Sequence, residues 1–129
     1  MHTMVLDSSA LLAIALHEPG GDIVLDHVAN AGAGACIHAI NAFEVVAKLR
    51  YRGLSEAAAW GAVNARIARV DDIDDKMLEC AVRIKYSAPS LSLGDCFCIA
   101  LAEYIGGECL TSDKGFLNAE TSATINVFR

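Results

Sequence analysis

Four acidic side chains stand where a predicted strand or loop gives way to a helix: Asp7, Glu44, Asp95 and Asp113. The chain has sixteen acids in all, so most of them must be solvated surface residues. If these four meet in the fold, their charges repel one another, and some stay protonated unless a cation neutralises them. Mg²⁺, with Mn²⁺ as an alternative, suits such a set of oxygen ligands.

Each of these acids also has a purely structural explanation. Asp7 can cap the helix that follows it. Glu44 precedes Lys48 by four residues, the favourable order for an ion pair on a helix surface. Asp95 lies three residues after Ser92, which is the spacing of a capping box. The fourth acid can likewise cap a short helical turn. The argument for chemistry is therefore joint, and it depends on where the fold places the four.

The elements that must position these acids are short strands alternating with helices. The sequence predicts strands at 3–7, 35–39, 107–113 and 124–128, and another that starts at 68 and passes into a helix by 74. Predicted helices cover 8–17, 22–31, 40–53, about 55–68, about 75–86 and 93–106, with a helical turn at 114–119. This alternation predicts an α/β fold: a three-layer α/β/α sandwich around a mostly parallel five-stranded sheet. Sites in such sheets form outside the carboxyl ends of the strands, where we place Asp7 and Asp113.

Composition sets limits on the class of protein. The chain has 129 residues, 54% of them hydrophobic and 6% aromatic, which suits a single domain over residues 1–129 with an aliphatic core. The net charge of −6 argues against binding nucleic acid by charge alone, so such a partner needs a local basic patch or a metal ion. No apolar stretch reaches 18 residues and the N-terminus has no basic signal region, which favours the cytoplasm and no membrane.

The five cysteines are expected to be reduced and mostly buried. Cys96 and Cys98 lie two apart in a predicted helix, so their side chains point away from each other. Because no second cysteine or histidine pair accompanies them, the sequence does not predict a zinc site.

The sequence resembles the PIN-domain family, and within it the VapC-type toxins of bacterial toxin–antitoxin pairs. The resemblance rests on four stretches in the family's order and spacing: VLDSSALLA, INAFEVVAKLRYRG, LSLGDCFCIALAE and LTSDKGF. It implies a PIN-like fold and a magnesium-dependent endoribonuclease that cleaves RNA, with transfer RNA and ribosomal RNA as the substrates to expect.

The resemblance also implies a role for each matching residue. Asp7 and Asp95 match the metal ligands, and Glu44 and Asp113 complete the acidic pocket as further catalytic residues and additional ligands. Two hydroxyl residues, Ser9 and Thr111, match positions that support the acids. The partners it implies are a VapB-like antitoxin, which inhibits the enzyme, and a second copy in a homodimer.

Cationic side chains are needed if an acidic protein is to bind RNA. Arg50 and Arg52 close the third predicted helix, and Lys114 follows the fourth acid. Lys48, Arg66 and Arg69 are further candidates, although solvated helix surface explains each cation separately.

Three other functions compete with this interpretation. A haloacid dehalogenase-like phosphatase also has an Asp after its first strand, but it needs a second Asp where this chain has Ser9. A non-catalytic PIN-fold scaffold would not need all four acids. A flap-type or DNA-cleaving nuclease is generally longer, with extra helices over the site.

Overall fold

The computed structural model describes residues 2–129, so Met1, where the predicted domain begins, lies outside the described residues. It has five strands: β1 (Met4–Leu6), β2 (Ala35–His38), β3 (Ala68–Val70), β4 (Glu108–Thr111) and β5 (Thr124–Val127). Its α-helices are α1 (Ser8–Ala15), α2 (Gly21–Ala31), α3 (Ala39–Tyr51), α4 (Glu56–Asn64), α5 (Asp75–Ser87) and α6 (Leu93–Ile105). Short 3₁₀ turns cover Gly32–Gly34 and Lys114–Asn118.

The strands form one sheet in the order β3-β2-β1-β4-β5, and every pairing in it is parallel. The predicted three-layer α/β/α fold is therefore confirmed, with a sheet that is parallel throughout. The largest difference from prediction lies at α4, which ends at Asn64 rather than near 68. The chain leaves the helix there, and Ile67 packs into the core.

Successive side chains of each strand point to opposite faces of the sheet and pack in two separate apolar layers, as the two-residue period of a strand requires. Leu6, Ile37 and Leu110 pack in one cluster with α1, α2, α3 and α4. Their strand neighbours Val5 and Cys36 pack in the other, against α5 and α6. Both faces of the sheet are thereby covered, so the sheet's carboxyl edge is where polar side chains can gather.

Strand β1 occupies the centre, and the chain places β2 and β3 on one side of it and β4 and β5 on the other. This reversal creates a crevice between the carboxyl ends of β1 and β4, the usual place for a site in such a sheet. Leu6 pairs with Leu110, and the N–H of Asp7 donates to the Leu110 carbonyl at 3.1 Å. The residues that follow both strands therefore start from adjacent positions.

Polar side chains begin several helices. The hydroxyls of Ser55 and Ser92 accept hydrogen bonds from the first turns of α4 and α6, and Asp74 does the same for α5. The N-cap of α3 was not predicted: it is the buried His38, whose Nδ1 accepts from Ile40 N–H at 3.1 Å.

The cysteines and the membrane prediction can be compared directly with the structure. All five thiols are free and all but Cys80 are buried. The Sγ atoms of Cys98 and Cys109 lie 3.9 Å apart between α6 and β4. None of the helices within residues 2–129 has the length and apolar character needed to cross a bilayer.

Two helical glycines provide a matched test of the α1–α2 packing. A Cβ at Gly21 would lie 3.0 Å from the Ala13 carbonyl carbon of α1, whereas a Cβ at Gly61 in α4 would meet nothing within 4 Å. We expect Gly21→Ala to lower the free energy of unfolding by roughly 1–3 kcal/mol through overpacking. Gly61→Ala should raise it by roughly 0.5–1 kcal/mol, because alanine favours helix. Urea unfolding followed by circular dichroism measures both, and shifts of the same sign would contradict this packing.

Candidate active site

Asp7 leaves the carboxyl end of β1 with its side chain only 2% exposed. Its Oδ1 accepts the Ala10 N–H at 2.9 Å, so it is indeed the N-cap of α1. Two hydroxyls also donate to it: Ser9 to Oδ1 and Thr111 to Oδ2, each at 2.6 Å. Asp7 therefore caps α1 and also contacts the two predicted supporting residues, Ser9 and Thr111.

Both hydroxyls are themselves held by the backbone that follows β4. Ser112 N–H donates to the Ser9 oxygen at 3.0 Å, and Asp113 N–H donates to the Thr111 oxygen at 2.9 Å. Because each hydroxyl oxygen accepts a backbone hydrogen bond, its own proton is directed at the carboxylate. This arrangement joins two segments about a hundred residues apart and fixes the orientation of Asp7.

Glu44 projects from the second turn of α3 and is half-buried. Its Oε1 accepts from Asn41 Nδ2 at 3.1 Å, and the same amide nitrogen donates to the Gly94 carbonyl at 3.1 Å. Among residues 2–129, no ion pair joins Glu44 to Lys48. The alternative of a surface ion pair is therefore not what the structure shows, and Glu44 turns toward α6 instead.

Asn41 and Gly94 are contributors to the site that the sequence analysis missed. A Cβ at Gly94 would lie 2.7 Å from the Glu44 carboxyl carbon, so the glycine leaves room for this carboxylate in the position that it takes against α6. Asn41 is fully buried, and its Oδ1 has no hydrogen-bond partner within residues 2–129. The available signals were that Asn41 is one helical turn before Glu44, and that Gly94 directly precedes Asp95.

Asp95 lies in the first turn of α6 and completes the predicted capping box. Its Oδ2 accepts from Ser92 N–H at 2.9 Å, and its own N–H donates to the Ser92 hydroxyl at 3.2 Å. The box uses one of the two carboxylate oxygens. A structural role and a place in the acidic site are again compatible.

Asp113 is placed differently from the other three acids. It is exposed, and its Oδ1 accepts from Gly115 N–H at 2.8 Å, so it caps the 3₁₀ turn as the structural explanation supposed. Its connection to Asp7 runs through Thr111. The structure thus brings Asp7, Glu44 and Asp95 into electrostatic contact and leaves Asp113 at the rim.

Burial is the main cause of the raised pKa values of two acids at this site. It raises the pKa of Asp7 to about 6, against the lowering effect of the two hydroxyls and Ala10 N–H, and the charge of Asp95 adds to the rise. The pKa of Glu44 is raised by burial first and then by the charges of Asp95 and Asp7. These carboxylates therefore favour a positive charge in their midst.

The chemistry of these donors can be compared with the needs of a divalent cation. Within residues 2–129, no three side chains of His, Cys, Asp or Glu form a group that could hold a metal ion. Mg²⁺, however, is usually held by one or two carboxylates, with water completing its coordination. The predicted ligands Asp7 and Asp95, both oxygen donors and electrostatically coupled, fit that requirement. Glu44 and the amide oxygen of Asn41 are further oxygen donors nearby.

The candidate cations differ in their freedom to meet a ligand. Arg50 and Arg52 are exposed at the end of α3, where Arg50 Nη1 donates to the Leu54 carbonyl at 3.0 Å. Lys114 is exposed beside the rim. Arg69 is engaged in an ion pair with Asp71, Nε to Oδ1 at 2.7 Å.

Comparison with known families gives one clear match. The model of the PIN domain matches residues 4–121 of this chain. All four predicted acids fall inside the matched range. The chain matches none of the curated proteins.

Solved structures share this fold at low sequence identity. VapBC2 from Rickettsia felis, bound to a DNA fragment from its promoter, is 10% identical with a TM-score of 0.75 over 96% of this chain and 97% of that chain. A toxin–antitoxin complex from Klebsiella pneumoniae is 18% identical with a TM-score of 0.73 over 95% and 100%. PAE2754 from Pyrobaculum aerophilum is 21% identical with a TM-score of 0.63 over 96% and 90%. At these identities the likeness is one of fold.

The raised pKa of Asp7 predicts how stability depends on pH. Since its pKa rises from 3.8 to about 6 on folding, the protonated group contributes stability that is complete below pH 3.8 and is lost as the pH rises through 6. Between pH 4 and 7 in a chelator, the unfolding free energy of the wild type should fall by up to about 3 kcal/mol relative to Asp7→Asn.

Urea unfolding across this pH range measures the difference. Asp26→Asn, which changes an exposed acid of α2, should follow the wild type, and added Mg²⁺ should recover stability of the wild type at pH 7. Parallel pH profiles for the wild type and Asp7→Asn would show that burial does not disfavour the charged form.

Proposed function

This chain belongs to the PIN domain family, and from that premise we propose that it is a magnesium-dependent endoribonuclease, the toxin of a VapBC-type toxin–antitoxin pair. The observation that carries the proposal is the buried carboxylate of Asp7. It lies at the carboxyl edge of the sheet with both oxygens bound by hydroxyls, and the charge of Asp95 acts on it. We propose transfer RNA or ribosomal RNA as the substrate and the reducing cytoplasm, where the free thiols are stable, as the location.

The proposed roles follow from the hydrogen bonds of each residue. Asp7 and Asp95 would hold Mg²⁺ or Mn²⁺, with Glu44 as a further ligand. Bound there, the ion supplies a nucleophile by lowering the pKa of water and offsets the charge that develops on the phosphate. Ser9 and Thr111 keep Asp7 in one orientation, because their protons point at its two oxygens.

Glu44 and Asp113 have the remaining proposed roles. Asn41 holds Glu44 against α6 through its bonds to Oε1 and to the Gly94 carbonyl. The charge of Asp7 acts on Glu44, and Glu44 would accept a proton from the attacking water. Asp113, which is exposed, would orient water or substrate from outside.

The competing functions have less support in the geometry. A phosphatase of the haloacid dehalogenase type needs a second acid two residues after Asp7, and Ser9 there donates to Asp7 instead. A non-catalytic scaffold explains Asp7 as the N-cap of α1, but it gives no reason for the charges of Asp95 and Asp7 to act on one another and on Glu44.

The toxin–antitoxin structures that share this fold support a VapB-like antitoxin as the inhibitory partner. The apolar residues of helices 8–17 and 40–52 are one candidate for a groove that binds such an antitoxin. Most of those residues are buried in the core, including Leu11, Val45 and Leu49, so they are not free to bind it. An antitoxin would have to use the exposed positions of these helices or the rim of the site.

A second copy of the chain is the other proposed partner, and α5 offers a surface for it. Leu78, Val82 and Tyr86 recur every four residues along α5 and are exposed. With Leu93 and Phe97 of α6 they line an apolar groove of about 550 Å³. Such a patch is unusual on a monomer, and a single stripe centred on Val82 meets its own copy when two α5 helices pair antiparallel about a two-fold axis.

The homodimer is tested by placing a charge at the centre of this stripe. Val82 is 68% exposed, so Val82→Asp should fold, but burying its carboxylate between two copies is costly. The control is Ile23→Asp, which changes an exposed apolar residue of α2. We expect sedimentation to show the wild type and this control as dimers, and Val82→Asp as a monomer. A dimer that survives Val82→Asp would exclude this face.

The nuclease proposal is tested on purified protein with cellular RNA. We expect Mg²⁺-dependent cleavage that a chelator abolishes. Asp7→Asn and Asp95→Asn should each lower the rate about 100-fold or more, because each removes a preorganised charge from the reacting centre. The control Asp26→Asn should cleave like the wild type. Sequencing the new RNA ends identifies the substrate, and undiminished cleavage by Asp7→Asn would refute the mechanism.

A further inference from the structure

We propose that the exposed face of α3 is a track for single-stranded RNA, on which bases stack against Phe43 and Tyr51 while Lys48, Arg50 and Arg52 contact phosphates. This inference rests on the proposed nuclease function, since it names how substrate approaches the acids. It goes further in assigning the aromatic residues and in specifying a single strand.

Two aromatic side chains on this helix are exposed without a structural reason. Phe43 is 68% exposed and Tyr51 is 94% exposed, whereas the core side of α3 buries Ala42, Val45 and Leu49. Phe43 and Tyr51 are eight residues apart, about two turns and roughly 12 Å along the helix. Residues spaced by four form one oblique row along a helix, so the two rings lie in one row with Ala47 between them, about 80° apart around the helix axis.

A row of charged residues runs beside the aromatic row. Glu44, Lys48 and Arg52 are also spaced by four, so this row begins at an acid of the site and ends in cations. Arg50, seven residues after Phe43, lies on the aromatic side. Within residues 2–129 none of these three cations takes part in an ion pair, although the chain as a whole carries a net charge of −6.

Cations near the C-terminus of a helix interact favourably with the helix dipole. This effect explains the positive charges at the end of α3 but not the exposed rings beside them. Exposed aromatic rings beside cations that form no ion pair suit a single-stranded nucleic acid, because its bases can stack on the rings and its phosphates are attracted to the cations. Phe43 directly precedes Glu44, so a base stacked there lies next to the acids. The adjacent rows therefore favour an RNA strand over a peptide or a second copy of the chain.

Binding rather than cleavage separates this inference from the nuclease proposal. The parent is Asp7→Asn in a chelator, which cannot cleave, and the probe is a fluorescent single-stranded RNA oligonucleotide followed by anisotropy. Phe43→Ala and Tyr51→Ala should each weaken binding roughly fivefold to a hundredfold, the range for one stacked base. Phe43→Trp should bind like the parent, and Phe43→Leu should not.

The control is Tyr104→Ala, which removes an exposed ring on α6 and should leave the Kd unchanged. The salt dependence adds a second measurement. Arg50→Gln with Arg52→Gln should reduce the slope of log Kd against log salt by roughly 1.4, about 0.7 for each lost phosphate contact. The aromatic variants should leave that slope unchanged. Duplex RNA of the same sequence should bind more weakly, because its bases are already stacked.

The outcomes are distinct. Binding that depends on Phe43 and Tyr51 supports the track even if the wild type fails to cleave RNA, a result that would defeat the nuclease proposal alone. Equal affinities for Phe43→Ala, Tyr51→Ala and Tyr104→Ala overturn the track even if the wild type cleaves RNA. A change in oligomeric state or in antitoxin binding, with RNA affinity intact, also overturns it and assigns the face to a protein partner.

Discussion

The site depends on one buried carboxylate that is kept in place by hydroxyls. Asp7 is bonded at both oxygens, and its partners Ser9 and Thr111 are in turn held by backbone N–H groups of the segment after β4. Burial disfavours the charge of this carboxylate and the hydrogen bonds only partly offset that effect. Both oxygens of Asp7 are therefore hydrogen-bonded, but in the part of the chain that the structure describes its negative charge has no positive partner. A cation bound at this position would stabilise the charged form.

The parallel sheet is what makes this condition attainable. Its strands are covered on both faces by apolar layers, so polar groups gather at the carboxyl edge, and the reversal of strand order opens a crevice between β1 and β4. Two helices then bring in the remaining acids. The Gly94 position lets α6 approach Glu44, and Asn41 links the two elements. The other two acids are held by hydrogen bonds to near neighbours rather than by one another: Asp95 by its capping box with Ser92, and Glu44 by the side-chain amide of Asn41.

Charge is distributed unevenly over the surface in a way that suits the proposed chemistry. Asp7, Glu44 and Asp95 belong to the site, and three cations that form no ion pair among residues 2–129, Lys48, Arg50 and Arg52, follow Glu44 by four to eight residues at the end of α3. A uniformly acidic surface would repel RNA, whereas a short basic and aromatic strip provides a local attraction and a direction of approach. The apolar stripe lies on α5, which packs on the opposite face of the sheet from α3. Association of two copies and binding of substrate can therefore use different surfaces.

The sequence by itself determined the elements and much of their chemistry. The strand and helix order follows from apolar periodicity and from capping residues such as Ser55, Asp74 and Ser92, because these are local effects. The covered parallel sheet follows from the alternation of strands and helices. The link between Asp7 and the two hydroxyls was implied only by family resemblance, since residues 7 and 111 are joined by pairing of β1 with β4.

Only the tertiary structure decided which acids meet. From the sequence, Asp113 is a candidate for the acidic pocket beside Asp95, but in the structure it is exposed and its carboxylate caps the 3₁₀ turn that follows β4. The sequence offers Glu44 a helical partner in Lys48, but packing of α3 on α6 gives it Asn41 and the close approach of Gly94 instead. Capping and ion pairing are satisfied by near neighbours and can be inferred from spacing. The convergence of the carboxylates depends on how helices and strands that are far apart in the sequence pack together, and no local sequence pattern determines that packing.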